Sequence, residues 1–247
     1  MEHCYLRHAN GLKLVRQLLQ RAENGRLGKG LIGCDSLAWS YLQRLWSVPR
    51  PDALTLQAFD SSRLARLLSS MTVCRSGRRV HFRNAVNGNS ILTVPSEDDR
   101  VRSEIVQLAA YCRGNVGTAV RYWRERLRSE PEAEPSEPSN SEEIEQTDEP
   151  DEESVWGTGV LPEPVMPAGT DEDFALVLHV LLLHGGLPES LLSQLLPLSH
   201  PRCMALLLRL CNAGFIQYRE DRWSVPELAY ATVRGLLRGR AYLTDDF

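Results

Sequence analysis

An acidic segment divides the chain into three parts. Residues 129–173 contain 16 Asp and Glu and no Lys or Arg, with repeated Pro and Ser and few large apolar side chains. Such a composition cannot bury enough apolar surface to offset the conformational entropy lost on ordering, and its like charges repel one another. The sequence therefore predicts a disordered acidic linker between a domain at residues 1–128 and a second domain at residues 174–247.

The net charge of −4 conceals this division. Residues 1–128 carry 21 basic and 10 acidic side chains, whereas residues 174–247 carry 7 basic and 6 acidic ones. The first domain is therefore strongly basic and the second is close to neutral. The basic surface has three interpretations: a solvated face, a docking surface for the acidic linker, or a nucleic-acid interface. Because the linker is covalently attached, its high effective concentration favours the docking interpretation over nucleic acid.

Composition also excludes several classes of protein. No run of about 18 apolar residues is present, so we expect no membrane span. The N-terminal residues lack the basic region and apolar core of a signal peptide, which favours a cytoplasmic protein. The six cysteines are scattered without a Cys-x-x-Cys pair, so free thiols are expected, with neither a disulfide framework nor a metal site.

Hydrophobic spacing predicts a mostly helical first domain with short strands, an α+β class. Ser36 and Asp60 are the expected N-caps of the second and third helices. The predicted helices cover residues 5–22, 37–45, 61–69, 97–113 and 118–128. The predicted strands cover residues 31–33, 53–56, 79–82 and 90–94, and the first of these strands is expected to be buried.

The second domain has a more regular pattern. Three helices are expected first, then a hairpin around a turn at residues 219–221, then a final helix. Three helices followed by a hairpin is the order of a winged helix. The helices are expected at residues 174–183, 188–195, 202–212 and 226–238, and the hairpin strands at residues 215–218 and 222–225.

The stretch GRLGKGLIGCDS at residues 25–36 contains the glycines and lysine of a phosphate-binding loop, but not their order. A P-loop needs Ser or Thr directly after its lysine and lies between a strand and a helix. Here Gly30 follows Lys29, and the stretch leads from a helix into a strand. Cys34 has no recognisable base, and a Gly-x-Ser-x-Gly motif is absent. We therefore interpret the glycines as a turn.

The succession LIGCDS, LAWSYLQRLW, ALTLQAF and DSSRLARLL resembles the last third of an AAA+ ATPase core. The later phrase CRGNVGTAVRYWRERL is similar to one in the helical lid of that family, in which a winged helix often follows the lid. The resemblance implies that Asp35 and Ser36 lie at the sensor 1 position beside the γ-phosphate of ATP. Gly117 stands where the lid often carries an arginine, so Arg113, Arg121 and Arg124 become the candidate lid contacts.

The motifs that hold the nucleotide, Walker A and Walker B, are missing from the sequence. The resemblance therefore implies a regulatory or partner-binding C-terminal portion of an AAA+-type ATP-binding protein, or a relative that has lost its nucleotide-binding half. In either case we expect no catalysis by this chain alone. ATP and Mg²⁺ would be bound only when an upstream ATPase half is assembled with it. The expected partner is that half or another protein, and oligomerisation is compatible with the family.

A winged-helix DNA-binding regulator with a basic accessory domain is the competing prediction. Its DNA contacts would come from Arg202 and Arg209 on the third helix and from Arg219 and Arg222 on the wing. Acidic residues at the tip of the wing, together with the near-neutral charge of this domain, favour protein docking over DNA.

Overall fold

The computed structural model describes residues 1, 3–8, 11–46, 54–72, 79–92, 102–129, 152–157 and 171–244. It is mostly helical with a few short strands, which confirms the predicted α+β class. The chain divides into two compact units. The terminal unit comprises Met1–Thr55 and Glu163–Phe247, and the central unit comprises Leu56–Pro162. The domain limits expected from composition remain a prediction.

Two helices come from the N-terminal part of the terminal unit, α1 (Lys13–Glu23) and α2 (Ser36–Leu45). The helix predicted from residue 5 begins eight residues late because the chain turns at Gly11. The Gly11 N–H donates to the carbonyl of His8, and a β-carbon on Gly11 would lie 2.5 Å from the carbonyl oxygen of Leu6. The predicted cap of α2 was wrong by one residue: Asp35 is the N-cap, and Ser36 is the first helical residue.

The C-terminal part of the terminal unit contains helices and a hairpin in the predicted order. The elements are α6 (Glu172–Leu183), α7 (Glu189–Leu195), α8 (His200–Asn212), β4 (Gln217–Arg219), β5 (Arg222–Ser224), a 3₁₀ turn (Glu227–Ala229) and α9 (Tyr230–Gly239). Helix α6 is apolar around most of its circumference and forms the centre of a core with α8, the hairpin and α9. Leu187, between α6 and α7, exchanges two backbone hydrogen bonds of 2.8 and 2.9 Å with Trp223 on the second hairpin strand.

The two parts of the terminal unit share a hydrophobic cluster. Tyr5 is buried there, and its hydroxyl donates a 3.2 Å hydrogen bond to the carbonyl of Leu183 at the end of α6. Val15 of α1 and Leu42 of α2 are buried in the same cluster. The first helices of the chain therefore pack with α6, a partner more than 120 residues away in sequence.

The described residues of the central unit form three helices and a small sheet. These elements are α3 (Ser61–Ser70), β1 (Arg79–Asn84), α4 (Ser103–Cys112), α5 (Val116–Glu125), β2 (Leu127–Arg128) and β3 (Glu152–Gly157). In the sheet β3 lies between β1 and β2, parallel to β1 and antiparallel to β2. Phe82 of β1 packs edge-on against Trp123 of α5, with ring centroids 5.3 Å apart.

Strand β3 lies within the segment that was expected to be a disordered linker. Its register places Val155 opposite Phe82 and Trp156 opposite Arg83. Val155 and Trp156 supply apolar side chains of the β-forming type, so this piece of the acidic segment has a pairing partner that composition alone does not reveal. The remainder of the expected linker lies outside the described residues, apart from Ser129 and residues 171–173.

Two predicted strands are not strands in the structure. Residues 31–33 and 54–56 have neither helix nor strand, and residue 53 lies outside the described part of the chain. Ser90 makes a single bridge with Arg83, while residues 93 and 94 of that predicted strand also lie outside it. Strand β1 is therefore the part of the predicted central hairpin that forms a regular strand.

Candidate functional site: an exposed apolar segment and two groups of arginines

The predicted sensor 1 residues begin α2. Asp35 accepts hydrogen bonds at Oδ1 from the backbone N–H of Leu37, at 2.9 Å, and of Ala38, at 3.4 Å. These are the interactions of an N-cap, which satisfies amide groups that have no partner within the helix. Ser36 is half-buried in the first helical turn. A nucleotide role for the two residues remains a prediction.

The lid-like phrase at residues 113–115 forms the tight turn between α4 and α5. Gly114 has φ +71°, and its carbonyl accepts a 2.9 Å hydrogen bond from the Phe59 N–H. A β-carbon at Gly114 would lie 2.6 Å from both the backbone N and the backbone O of Phe59. Asn115 caps α5 by accepting a 3.0 Å hydrogen bond from the N–H of Thr118. Packing and capping therefore account for Gly114 and Asn115.

The three arginines predicted near the nucleotide are exposed in the central unit. Arg113 precedes Gly114 and has φ 50°, a left-handed conformation that is uncommon for a side chain of this size. Arg121 and Arg124 lie on α5, where Arg121 Nε is 3.0 Å from Glu125 Oε1. Asp35 and Ser36 belong to the terminal unit. The nucleotide assignment of the three arginines also remains a prediction.

The arginines expected to contact DNA from α8 have intramolecular partners. The guanidinium of Arg202 makes ion pairs with the carboxylates of Asp171 and Asp173, the latter at 3.3 Å. The guanidinium of Arg209 lies 4.9 Å from the centre of the Phe174 ring, in a cation–π arrangement. Both side chains connect α8 to the beginning of α6.

The two wing arginines differ in their exposure and in their contacts. Arg222 is half-buried, and its Nη2 donates to the carbonyl of Gly186 at 2.6 Å and lies 3.2 Å from Nδ1 of His3. Arg219 on β4 is exposed. Arg222 therefore holds the hairpin against the turn after α6, and Arg219 is the wing arginine that faces solvent.

Sequence reasoning missed the exposure of the strand-like segments. The side chain of Leu31 is 94% exposed, although residues 31–33 were predicted to form a buried strand. Leu54 is 90% exposed and Leu56 is 97% exposed, in the second predicted strand. Ile32, beside Leu31, is 46% exposed. Exposed apolar residues scattered singly are common, but adjacent ones within a β-forming pattern often mark a surface that another chain covers.

A buried histidine connects distant parts of the terminal unit. Arg7 Nη1 donates to His179 Nδ1 at 3.1 Å, and His179 Nε2 donates to the carbonyl of Leu243 at 3.2 Å. The directions follow because arginine only donates and a carbonyl only accepts. Burial, reinforced by the charge of Arg7, lowers the pKa of His179 to about 4. His179 is therefore neutral at pH 7 and links α6 to both ends of the chain.

Comparison of the chain with protein-family models, with curated proteins and with solved structures gave no match. Among the described residues no helix has the length and apolar character needed to cross a membrane. The same residues contain no group of three or more His, Cys, Asp or Glu placed to hold a metal ion.

Proposed function

We propose that this chain is a partner-binding C-terminal part of an AAA+-type ATP-binding protein and that it has no ATPase activity alone. The observation that carries the proposal is the exposure of Leu31, in a segment whose sequence is typical of a buried strand. Leu54, also in the terminal unit, is similarly exposed in the second predicted strand.

A β-strand is stable when its backbone amide and carbonyl groups are paired with a neighbouring strand. The described part of the chain contains no strand that pairs with residues 31–33. Burying a leucine side chain contributes about 1.5–3 kcal/mol, so a partner that supplies an adjacent strand gains apolar burial as well as backbone hydrogen bonds. We therefore assign residues 30–33 as the contact segment.

The glycines of the contact segment fit this interpretation. A β-carbon added to Gly30 or Gly33 would have no atom within 4 Å, and neither residue has a positive φ. Nothing within the described structure requires glycine at these two positions. Glycine has no side chain to obstruct the close approach of another backbone, so both positions are compatible with the addition of a strand from a partner.

The contact segment leads directly into the predicted sensor residues. In the proposal, the partner is a nucleotide-binding half that carries Walker A and Walker B and binds ATP and Mg²⁺. Adding residues 31–33 to its sheet would place Asp35 and Ser36 next to the sheet edge where such nucleotides bind. This chain would then report or regulate the nucleotide state of its partner.

The elements in the C-terminal part of the terminal unit are compatible with a winged helix that docks on protein. Its element order and the bridge between Leu187 and Trp223 agree with that architecture. DNA binding by this part ranks second because Arg202 and Arg222 already have partners inside the protein. We propose protein docking as the role of the winged helix.

The test mixes the chain with a separately expressed AAA+ nucleotide-binding half. Co-purification measures whether a complex forms, and ATP turnover is measured for the chain alone and for the mixture. We expect the chain alone to show no turnover and the mixture to form a complex. Leu31→Lys should prevent the complex, because it places a charge on the contact segment. Leu14→Lys, at a 61% exposed position on α1, is the matched control and should leave the complex intact. ATP turnover by the chain alone would contradict the proposal.

A further inference from the structure

The residues that follow helix α9 fold back onto α6. Ala241 has φ 59°, and the N–H of Tyr242 donates a 2.9 Å hydrogen bond to the carbonyl of Leu237. These are the features of a Schellman turn, in which a residue in the left-handed conformation reverses the chain at the end of a helix. The turn brings Tyr242 and Leu243 to α6, and we call residues 240–243 the C-terminal strap.

The side chains of the strap contact two turns of α6. Glu172 and His179 are seven residues apart, about two helical turns, and so lie on one face of α6. The Tyr242 hydroxyl donates to the carboxylate of Glu172, and the Tyr242 ring meets the His179 ring edge-on, with centroids 5.1 Å apart. Arg240 Nη1 donates a 2.8 Å hydrogen bond to the carbonyl of Asp171. The strap is therefore held beside the imidazole of His179.

This imidazole lies between the strap and the N-terminal segment, residues 3–8. Its Nε2 is 3.2 Å from the carbonyl oxygen of Leu243, and its Nδ1 is 3.1 Å from Nη1 of Arg7. His179 is 3% exposed, so water is a poor substitute for either partner. A neutral imidazole carries one ring proton, and a carbonyl only accepts. The strap therefore fixes that proton on Nε2 and leaves Nδ1 to accept from Arg7.

We propose that His179 couples the C-terminal strap to the N-terminal segment through the tautomer of its imidazole. When the strap leaves α6, the proton is no longer held on Nε2, and the tautomer with the proton on Nδ1 becomes accessible. In that tautomer Nδ1 is a donor and cannot accept from a guanidinium, which also only donates. The N-terminal segment thereby loses the hydrogen bond between Arg7 and α6.

The coupling gives a partner protein a way to act at a distance. A partner that captures the strap would loosen Arg7, in a segment whose His3 Nδ1 lies 3.2 Å from Nη2 of the wing residue Arg222. Because coupling between two sites is reciprocal, a partner that captures the N-terminal segment would loosen the strap to the same degree. The inference does not depend on the proposed function, since neither element includes the contact segment.

The experiment measures amide hydrogen exchange of the full chain in the variant Tyr242→Ala, which removes the ring and the hydroxyl that hold the strap. The amides of Leu6 and His8 flank Arg7 and donate to backbone carbonyls, so their exchange reports opening of the N-terminal segment. We expect their exchange to accelerate at least about fivefold relative to the amides of α8. Tyr218→Ala, at a 51% exposed position on the hairpin, is the matched control and should leave it unchanged.

A second variant acts in the opposite direction. Ala241→Gly removes the strain of the positive φ at the Schellman turn and so strengthens the strap. It should slow the exchange of Leu6 and His8, an effect that loss of structure would not produce. Exchange of these two amides at the wild-type rate in both Tyr242→Ala and Ala241→Gly would overturn the proposal.

Two further measurements assign the coupling to the imidazole. Nitrogen-15 NMR distinguishes a protonated ring nitrogen from a bare one, and at pH 7 Tyr242→Ala should convert the Nε2-protonated His179 into a mixture of tautomers. In a His179→Phe background, which has no tautomers, Tyr242→Ala should no longer accelerate exchange at Leu6 and His8. The same acceleration in that background, or an unchanged tautomer in Tyr242→Ala, would overturn the proposal and indicate coupling through packing alone.

Discussion

Replacing Gly114 with alanine tests whether the lid-like phrase is held in place by packing. The new β-carbon would lie 2.6 Å from the Phe59 backbone N and O and 2.7 Å from the β-carbon of Ala58. Alanine would also have to adopt φ +71°, which costs roughly 1–2 kcal/mol. The backbone of Phe59 cannot move away without losing its 2.9 Å hydrogen bond to the Gly114 carbonyl, which contributes about 1 kcal/mol.

Together these terms predict that Gly114→Ala lowers the free energy of unfolding by about 2–4 kcal/mol. The assay is urea unfolding of the full chain followed by the fluorescence of tryptophan, since Trp123 is buried in the same unit. The control is Gly117→Ala on α5, where the nearest atom to the added carbon is Asn115 Oδ1 at 3.4 Å. Alanine is a better helix former than glycine, so this control should be neutral or stabilising by up to about 1 kcal/mol.

Equal stability of Gly114→Ala and wild type would refute the reasoning. It would mean that the turn between α4 and α5 is not held against Phe59. The phrase at residues 113–115 would then need an explanation from function rather than from packing. A large loss in Gly114→Ala with a neutral Gly117→Ala is the predicted pair of results.

Three further predictions concern stability in the terminal unit. Asp35→Ala should cost about 1 kcal/mol in chemical denaturation because α2 loses its cap, whereas Ser36→Ala should be nearly neutral. Glu220→Gly should stabilise the hairpin by up to about 1 kcal/mol in thermal melting, because Glu220 has φ 50°. His179 has a folded-state pKa of about 4, below its unfolded value of about 6.5, so its stabilisation is complete above about pH 6.5 and is lost as the pH falls toward 4. Compared with His179→Gln, the wild type should lose up to about 3 kcal/mol between pH 7 and pH 4 in urea titrations. If the stability of the two proteins fell in parallel with pH, the loss would not originate from the protonation of His179.

Local signals predicted local structure well. Asp60 was expected to cap α3, and its Oδ1 accepts a 2.7 Å hydrogen bond from the N–H of Arg63. The helices and hairpin of the C-terminal part follow the order that periodicity and turn residues indicated. These elements are specified by contacts a few residues apart, which a single sequence displays.

Structure that depends on distant partners was not predictable in the same way. Strand β3 exists through its pairing with β1, about 70 residues earlier, and the acidic composition around it gave no sign of this. The cluster of Tyr5 with Leu183 likewise joins residues that no local pattern connects.

For the candidate site, the sequence indicated which residues to consider but not their surroundings. Arg202 and Arg222 were predicted as nucleic-acid contacts, and their intramolecular partners were not visible in the sequence. Their role toward DNA remains a prediction. Leu31 looked like a core residue and is exposed instead. Exposure depends on which other elements cover a segment, and this information resides in the tertiary structure.

The central claim is most directly tested by the affinity of the chain for an AAA+ nucleotide-binding half, measured by titration calorimetry with wild type and Leu31→Lys. The account predicts binding by the wild type and at least a tenfold loss for Leu31→Lys, equivalent to about 1.4 kcal/mol, with Leu14→Lys unchanged. Equal binding by wild type and Leu31→Lys, or no binding by the wild type, would contradict it.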